Sequence, residues 1–223
     1  MMVQHKTPGD IERTSMGIIL EELAGLGLTP PPEHQAVVCR VVHATADFDY
    51  ARNLVFTPDA VQKGIDALLA GAPVITDTNM AKAGVSRPCL QKLGGEALCF
   101  MADAEVAAVA REKGTTRAVA AVDKAAAQHP GAVLAFGNAP TGLLRLADWI
   151  EQGYRPALVI GAPVGFVNVV ESKEHALEVC RRAGVPAILA MGRKGGSGVA
   201  AAICNALLYT ACGTLDPAAR GWN

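Results

Sequence analysis

The stretch ALVIGAPVGF (157–166) and its counterpart AILAMGRKGGSGVAAAICNALL (187–208) decide the fold. Each opens with an apolar, β-favouring run and passes through a loop of small residues. The second continues straight into an apolar helix, and the first reaches one over 172–183. The same grammar recurs upstream. Residues 73–77 (PVITD) lead to NMAKAG, 97–100 (ALCF) to a helix over 103–113, and 132–136 (AVLAF) to GNAP and a helix over 141–152. With the runs at 157–160 and 187–191, five strand-loop-helix units predict an α/β fold, a mainly parallel sheet with helices on both faces. The strands are almost wholly apolar, as strands covered twice must be.

Working outward, the first seventy residues read as an N-terminal helical extension of three helices. Ile11 to Ala24 carries apolar residues near a 3.6 period, with Gly25 able to stop it. Pro31 and Pro32 open a second helix reaching about Ala46. Thr57 or Asp59 caps a third, over 58–69, ending at Gly71. No Pro/Ser linker, charge run or internal repeat divides the chain, so residues 1–223 are expected to form one domain.

Composition narrows the function. Twenty basic against twenty-one acidic residues give a formal charge of −1, without the basic excess of a nucleic-acid binder. Only 18% of residues are charged, against roughly 25% in ordinary soluble domains, which points to surface lost in a subunit interface. The N-terminus lacks the apolar core of a signal peptide. The apolar segment 199–211 is interrupted by Asn205 and falls short of the roughly 20 residues of a membrane span. The six cysteines form no CxxC pair, and four lie in apolar runs, so free buried thiols in a reducing cytoplasm are expected.

In parallel sheets ligands bind outside the carboxyl ends of the strands. The chemically unusual residues fall there: Thr76, Asp77, Asn79, Asn138, Pro140, Pro163, Gly165, and the run Arg193, Lys194, Gly195, Gly196, Ser197. GRKGGSG (192–198) can turn backbone N–H groups and a helix start toward an anion, with Ser197 as N-cap. The other reading is a tight strand-to-helix turn that needs glycine. It is neither a Walker A loop nor GxGxxG. Arg40 and His43 share a helix face, and the cation favours the neutral imidazole at rest. A histidine suits acid or base work near neutral pH, though a single histidine on a helix is often structural. Asp47 and Asp49 most simply end that helix, and no further His or Cys lies at metal-ligand spacing. His5, His34, His129 and His175 read as surface residues. No GxSxG elbow is present. Thr115-Thr116-Arg117 opens a helix and can offer a hydroxyl and a guanidinium to a carboxylate.

Taken in order, the blocks IERTSMGII (11–19), RVVHATADFDYA (40–51), ITDTNMAKAG (75–84), GTTRA (114–118), FGNAPTGL (136–143), GAPVGFVNVVESKE (161–174) and GRKGGSGVAAAICNALL (192–208) resemble the precorrin-8X methylmutase family of cobalamin biosynthesis. TDTNM and GRKGGS are most similar to its cobalt-precorrin-8 branch. The resemblance implies migration of a methyl group from C-11 to C-12 of a corrinoid, with no cofactor; cobalt, where present, belongs to the substrate. It implies His43 as the acid, Ser15 and Arg40 as substrate contacts, and a homodimer with its site near the subunit junction. A flat macrocycle fringed with carboxylates needs an apolar slot rimmed by cations and backbone donors. Arg40, Arg87, Thr116, Arg117, Arg193 and Lys194 are the expected rim. Met16, Gly17, Ala118 and Gly198 depart from the family's usual residues and bear on the substrate's metal state. Two other readings remain: a phosphate-ligand or nucleotide-binding enzyme anchored on GRKGGS, and a non-catalytic corrinoid carrier.

Overall fold

The computed structural model describes residues 7–221. In chain order its elements are α1 (Pro8–Gly25), α2 (Pro32–Thr45), α3 (Tyr50–Asn53), β1 (Leu54–Phe56), α4 (Ala60–Leu69), β2 (Val74–Thr76), α5 (Asn79–Gly84), α6 (Arg87–Lys92), β3 (Ala97–Leu98), α7 (Ala104–Glu112), α8 (Arg117–Gln128), β4 (Val133–Phe136), α9 (Pro140–Glu151), β5 (Leu158–Gly161), α10 (Val169–Ala183), β6 (Ala187–Ala190) and α11 (Ser197–Ala211). A 3₁₀ turn, Pro217–Arg220, follows. Helix starts follow local chemistry. Prolines occupy the first turns of α1, α2 and α9, where a missing N–H costs nothing. The hydroxyls of Thr7, Thr78 and Thr116 accept from the N–H groups of Asp10, Ala81 and Val119.

The strands form one sheet in the order β1-β6-β5-β4-β2-β3. Every neighbouring pair is parallel except β1 with β6. From β2 the chain crosses to β3 on one side and then to β4 on the other, so strand order reverses between β2 and β4. The α/β architecture expected from the five units is therefore present. Two cores sandwich the sheet. Residues of α1, α2, α4 and α11 pack on one face, and those of α7 to α10 on the other. Leu158, Val159 and Ile160 of β5 are fully buried between them, and burying each such side chain contributes about 1.5–3 kcal/mol.

Several local expectations require correction. Leu54–Phe56 lies within the part read as helical, yet it pairs antiparallel with β6, Leu54 opposite Ala190. Thr57 does not cap α4; its hydroxyl accepts from the Ala187 N–H, and Asp59 stands at the N-cap without a side-chain bond. Gly196, not Ser197, is the N-cap of α11. Asp47 and Asp49 do not end α2, which stops because Ala46 adopts the left-handed conformation at φ 52°.

Candidate active site

The carboxyl ends of β2 and β4, where the strand order reverses, are joined by one carboxylate. Asp77, just past β2, is buried, and its oxygens accept from the N–H groups of Gly137 (2.8 Å), Asn138 (2.7 Å) and Ala139 (2.7 Å). Burial raises its proton affinity, against the lowering effect of those amides. Asp77 therefore shapes the β4–α9 turn with its side chain fully engaged. Thr76 is likewise turned inward, donating to the carbonyls of Thr78 and Leu98. Asn138 remains exposed at the turn's crest.

The loop from β6 to α11 locks onto its neighbours. Gly196 donates to the carbonyl of Ala162 (2.8 Å), and the Arg193 carbonyl accepts from Gly165 N–H (3.2 Å). A Cβ on Gly195 would lie 2.2 Å from the Ala162 oxygen, so only glycine fits against the β5 loop. Similarly, a Cβ on Gly137 would lie 2.6 Å from the Ser197 Cα. The Ser197 and Thr78 hydroxyls are hydrogen-bonded at 2.8 Å. Four loops, following β2, β4, β5 and β6, thus form one interlocked rim. Gly195→Ala is expected to cost about 1–3 kcal/mol by overpacking, whereas Gly198→Ala, with open space around its Cα, should be neutral. Chemical unfolding of the two variants side by side checks this.

His43 reaches the same end of the molecule by topology. It sits in the last turn of α2, and the chain then runs into β1, whose first residue pairs with the carboxyl end of β6. Lys194 closes the gap. Its Nζ lies 2.6 Å from Asp47 Oδ2 and 2.6 Å from Asp49 Oδ2, which tethers the glycine loop to the segment after His43. The imidazole is exposed. Its pKa is lowered, first by burial of part of the ring's surroundings and then by Arg40, with Glu12 acting oppositely. Arg40 pairs with buried Glu12 at 2.7 Å, and Arg220 meets the other carboxylate oxygen at 2.6 Å. Both guanidinium groups lie over the Tyr209 ring, at 5.1 and 4.4 Å from its centroid. Ser15 lies one turn beyond Glu12 on α1, and its hydroxyl donates to Ile11 O.

The structure thus gathers His43, Arg40 and Ser15 on α1 and α2. It gathers Gly165, Arg193, Lys194, Gly195, Gly196, Ser197, Thr76, Asp77 and Asn138 on the interlocked rim. Thr116 joins the rim through the Thr141 hydroxyl at 3.2 Å, with Arg117 beside it in exposed first-turn position. Arg87 opens α6 and lines a cleft of about 620 Å³ with Lys82, Gln91 and Glu96 beside the β3 edge, a cleft that Asn79, next to Thr78, also lines.

Sequence reasoning missed three participants. Thr78 anchors Ser197, Phe166 projects from the β5 loop at 82% exposure, and Lys173 is wholly buried beneath the glycine loop. Lys173 was legible. Val169, Lys173, Ala176 and Cys180 fall on one helical stripe, but the acidic neighbours in ESKE disguise it as a solvated face. His34 and His129 are half-buried and stack on Phe56 and Phe100, while His5 lies outside the described residues. All six cysteines are free and buried. Among the described residues no group of His, Cys, Asp and Glu could hold a metal ion, and no helix is long and apolar enough to cross a membrane.

Comparison with known proteins gives the family. The family model described as precorrin-8X methylmutase matches residues 10–210. The chain is 41% identical over 201 residues to the cobalt-precorrin-8 methylmutase of Priestia megaterium, covering 90% of this chain and 87% of that one. It is 45% identical over 179 residues to the enzyme of that name from Salmonella typhimurium, covering 80% and 82%. The precorrin-8X methylmutase of Pseudomonas aeruginosa is 39% identical over 200 residues, covering 88% and 93%. A solved precorrin-8x methyl mutase from Thermus thermophilus superposes with a TM-score of 0.81 at 41% identity, covering 91% of this chain and 98% of that one. The family model and these relatives together show it: the chain belongs to the precorrin-8X methylmutase family.

Proposed function

We propose that this chain moves a methyl group from C-11 to C-12 of cobalt-precorrin-8, with His43 as the acid. Family membership makes it a methylmutase, an isomerase of cobalamin biosynthesis; the substrate's metal state and the residue roles are our reading. The observation that carries it is His43 beside Arg40 at the rim where Lys194 ties the glycine loop to the end of α2.

The migration is an internal rearrangement. The bond from C-11 to the methyl breaks as the bond to C-12 forms, and the ring's π electrons shift between them. A proton lent to the adjacent ring nitrogen is returned, so the formula is unchanged and no oxidant, reductant or cofactor is called for. The enzyme's task is to hold the ring and place the proton. Arg40, Ser15, Arg193, Lys194, Thr116 and Arg117 are the groups we assign to the substrate's carboxylates. A carboxylate arriving opposite Arg40 offsets the field that lowers the His43 pKa, so binding itself draws a proton onto the imidazole.

The cobalt preference rests on the TDTNM and GRKGGS blocks and on the two cobalt-precorrin-8 relatives at 41% and 45% identity. Purified protein mixed with cobalt-precorrin-8 is expected to shift the visible spectrum to that of cobyrinate. Its kcat/KM should exceed that for the cobalt-free substrate by about tenfold, a difference of 1.4 kcal/mol. Equal values overturn the preference, and an unchanged spectrum leaves a carrier instead of a catalyst. We further assign a homodimer in the cytoplasm. Exposed Phe166, Val167 and Met80 at the site end supply apolar surface for a partner or for the ring, and six free buried thiols suit a reducing compartment.

A further inference from the structure

We infer that Lys173 is a positioning residue that holds the 192–196 loop in its substrate-receiving shape, with the amide N–H groups of Arg193 and Gly195 turned outward toward a carboxylate. The inference rests on the reading of this loop as a holder of substrate carboxylates, and it concerns a residue outside that reading.

Lys173 lies on α10 and has no exposed surface. Its Nζ donates to the carbonyl of Gly192 at 2.8 Å and to the carbonyl of Lys194 at 2.8 Å. Among the described residues no carboxylate accompanies it. Glu171 and Glu174 on its own helix are exposed, and Asp47 and Asp49 are taken by Lys194. An ammonium buried against neutral carbonyls alone is costly, and a methionine would pack the same space more cheaply. Burial draws its pKa down to about 8, which leaves the charged form present at neutral pH.

The two carbonyls that it grips lie two residues apart, and that spacing fixes the loop. In a planar trans peptide the C=O of one residue and the N–H of the next point in opposite directions, and the described residues contain no cis bond. With the carbonyls of Gly192 and Lys194 drawn toward Lys173, the N–H groups of Arg193 and Gly195 point away from it. The remaining bonds of the loop agree with this arrangement. The Arg193 carbonyl accepts from Gly165, and Gly196 N–H is bound to Ala162. Gly192 at φ 75° and Gly196 at φ 124° supply the backbone turns at the loop's two ends. The Arg193 and Gly195 N–H groups, two residues apart, then face the same side of the loop as donors for an anion's oxygens, beside the exposed Arg193 side chain. Lys173 thus supports from below a cradle that it does not itself enter.

The test is Lys173→Met in the full-length enzyme, assayed with cobalt-precorrin-8. KM is expected to rise about tenfold to a hundredfold, as displacing a positioning loop does, with kcat within threefold of native. Loss of kcat alone, or an unchanged KM in a folded variant, overturns the inference. Should the variant fail to fold, backbone hydrogen exchange on the native protein decides. The Arg193 and Gly195 amides should exchange freely without ligand and slow at least tenfold with bound product; protection without ligand, or no slowing with it, overturns it. Arg193→Gln separates the inference from the reading beneath it. If that variant leaves KM unchanged, the loop does not hold the substrate. If it raises KM while Lys173→Met does not, only the role of Lys173 falls.

Discussion

His43→Ala should lower kcat by about 10²- to 10⁴-fold, the usual contribution of a positioned acid, while affinity for the corrinoid product stays within a few-fold. The separation of the two effects is the informative part. His43 lies in the last turn of α2 and is exposed, so its truncation should leave the loops intact. The sign of the pH dependence follows from its surroundings. Burial and Arg40 lower the imidazole's pKa from the ordinary 6.5. In the free enzyme the protonated fraction therefore disappears as pH rises through a value below 6.5. The limb of kcat/KM, which reports the free enzyme, should fall in that range, and the limb of kcat should lie higher because the substrate's carboxylates oppose Arg40. Near-native turnover by the alanine variant would remove His43 from the mechanism.

The second large effect is on stability. Asp77→Ala should destabilise the fold by about 3–5 kcal/mol, because three amide donors, those of Gly137 and Ala139 buried, lose their acceptor together. For a chain of this length each kcal/mol corresponds to about 2–4 °C in Tm, so thermal unfolding resolves the change easily. Asp77→Asn keeps one acceptor oxygen and turns an NH₂ group against the remaining amides, which should give an intermediate loss. A shift below about 1 kcal/mol for the alanine variant would mean that the β4–α9 turn holds its shape without the carboxylate.

These two residues also show what the sequence carried. The apolar runs ending at Asp77, Phe136, Ile160 and Met191 announced parallel strands, and the loops that follow them meet in one rim. Asp77 belongs to that rim, but its engagement with Gly137, Asn138 and Ala139 depends on β2 and β4 lying side by side, and periodicity says nothing of strand order. Leu54–Phe56 escaped notice because three residues are too few for an alternation to register. Its antiparallel pairing with β6 is a long-range fact. Asp47 and Asp49 looked like a helix terminus because their partner, Lys194, lies 147 and 145 residues away. Arg87 opens α6 and lines a cleft with Asn79, the residue after Thr78 of the rim.

The close approach of Gly137 to the Ser197 backbone, with Gly195 wedged beneath Ala162 and Pro163, also constrains how this rim can change over evolutionary time. A bulkier residue at 137 or 195 is admissible only if a distant loop retreats first. Substitutions there must arrive in a particular order or in pairs, and engineers who recombine segments from different homologues should exchange all four loops as one block.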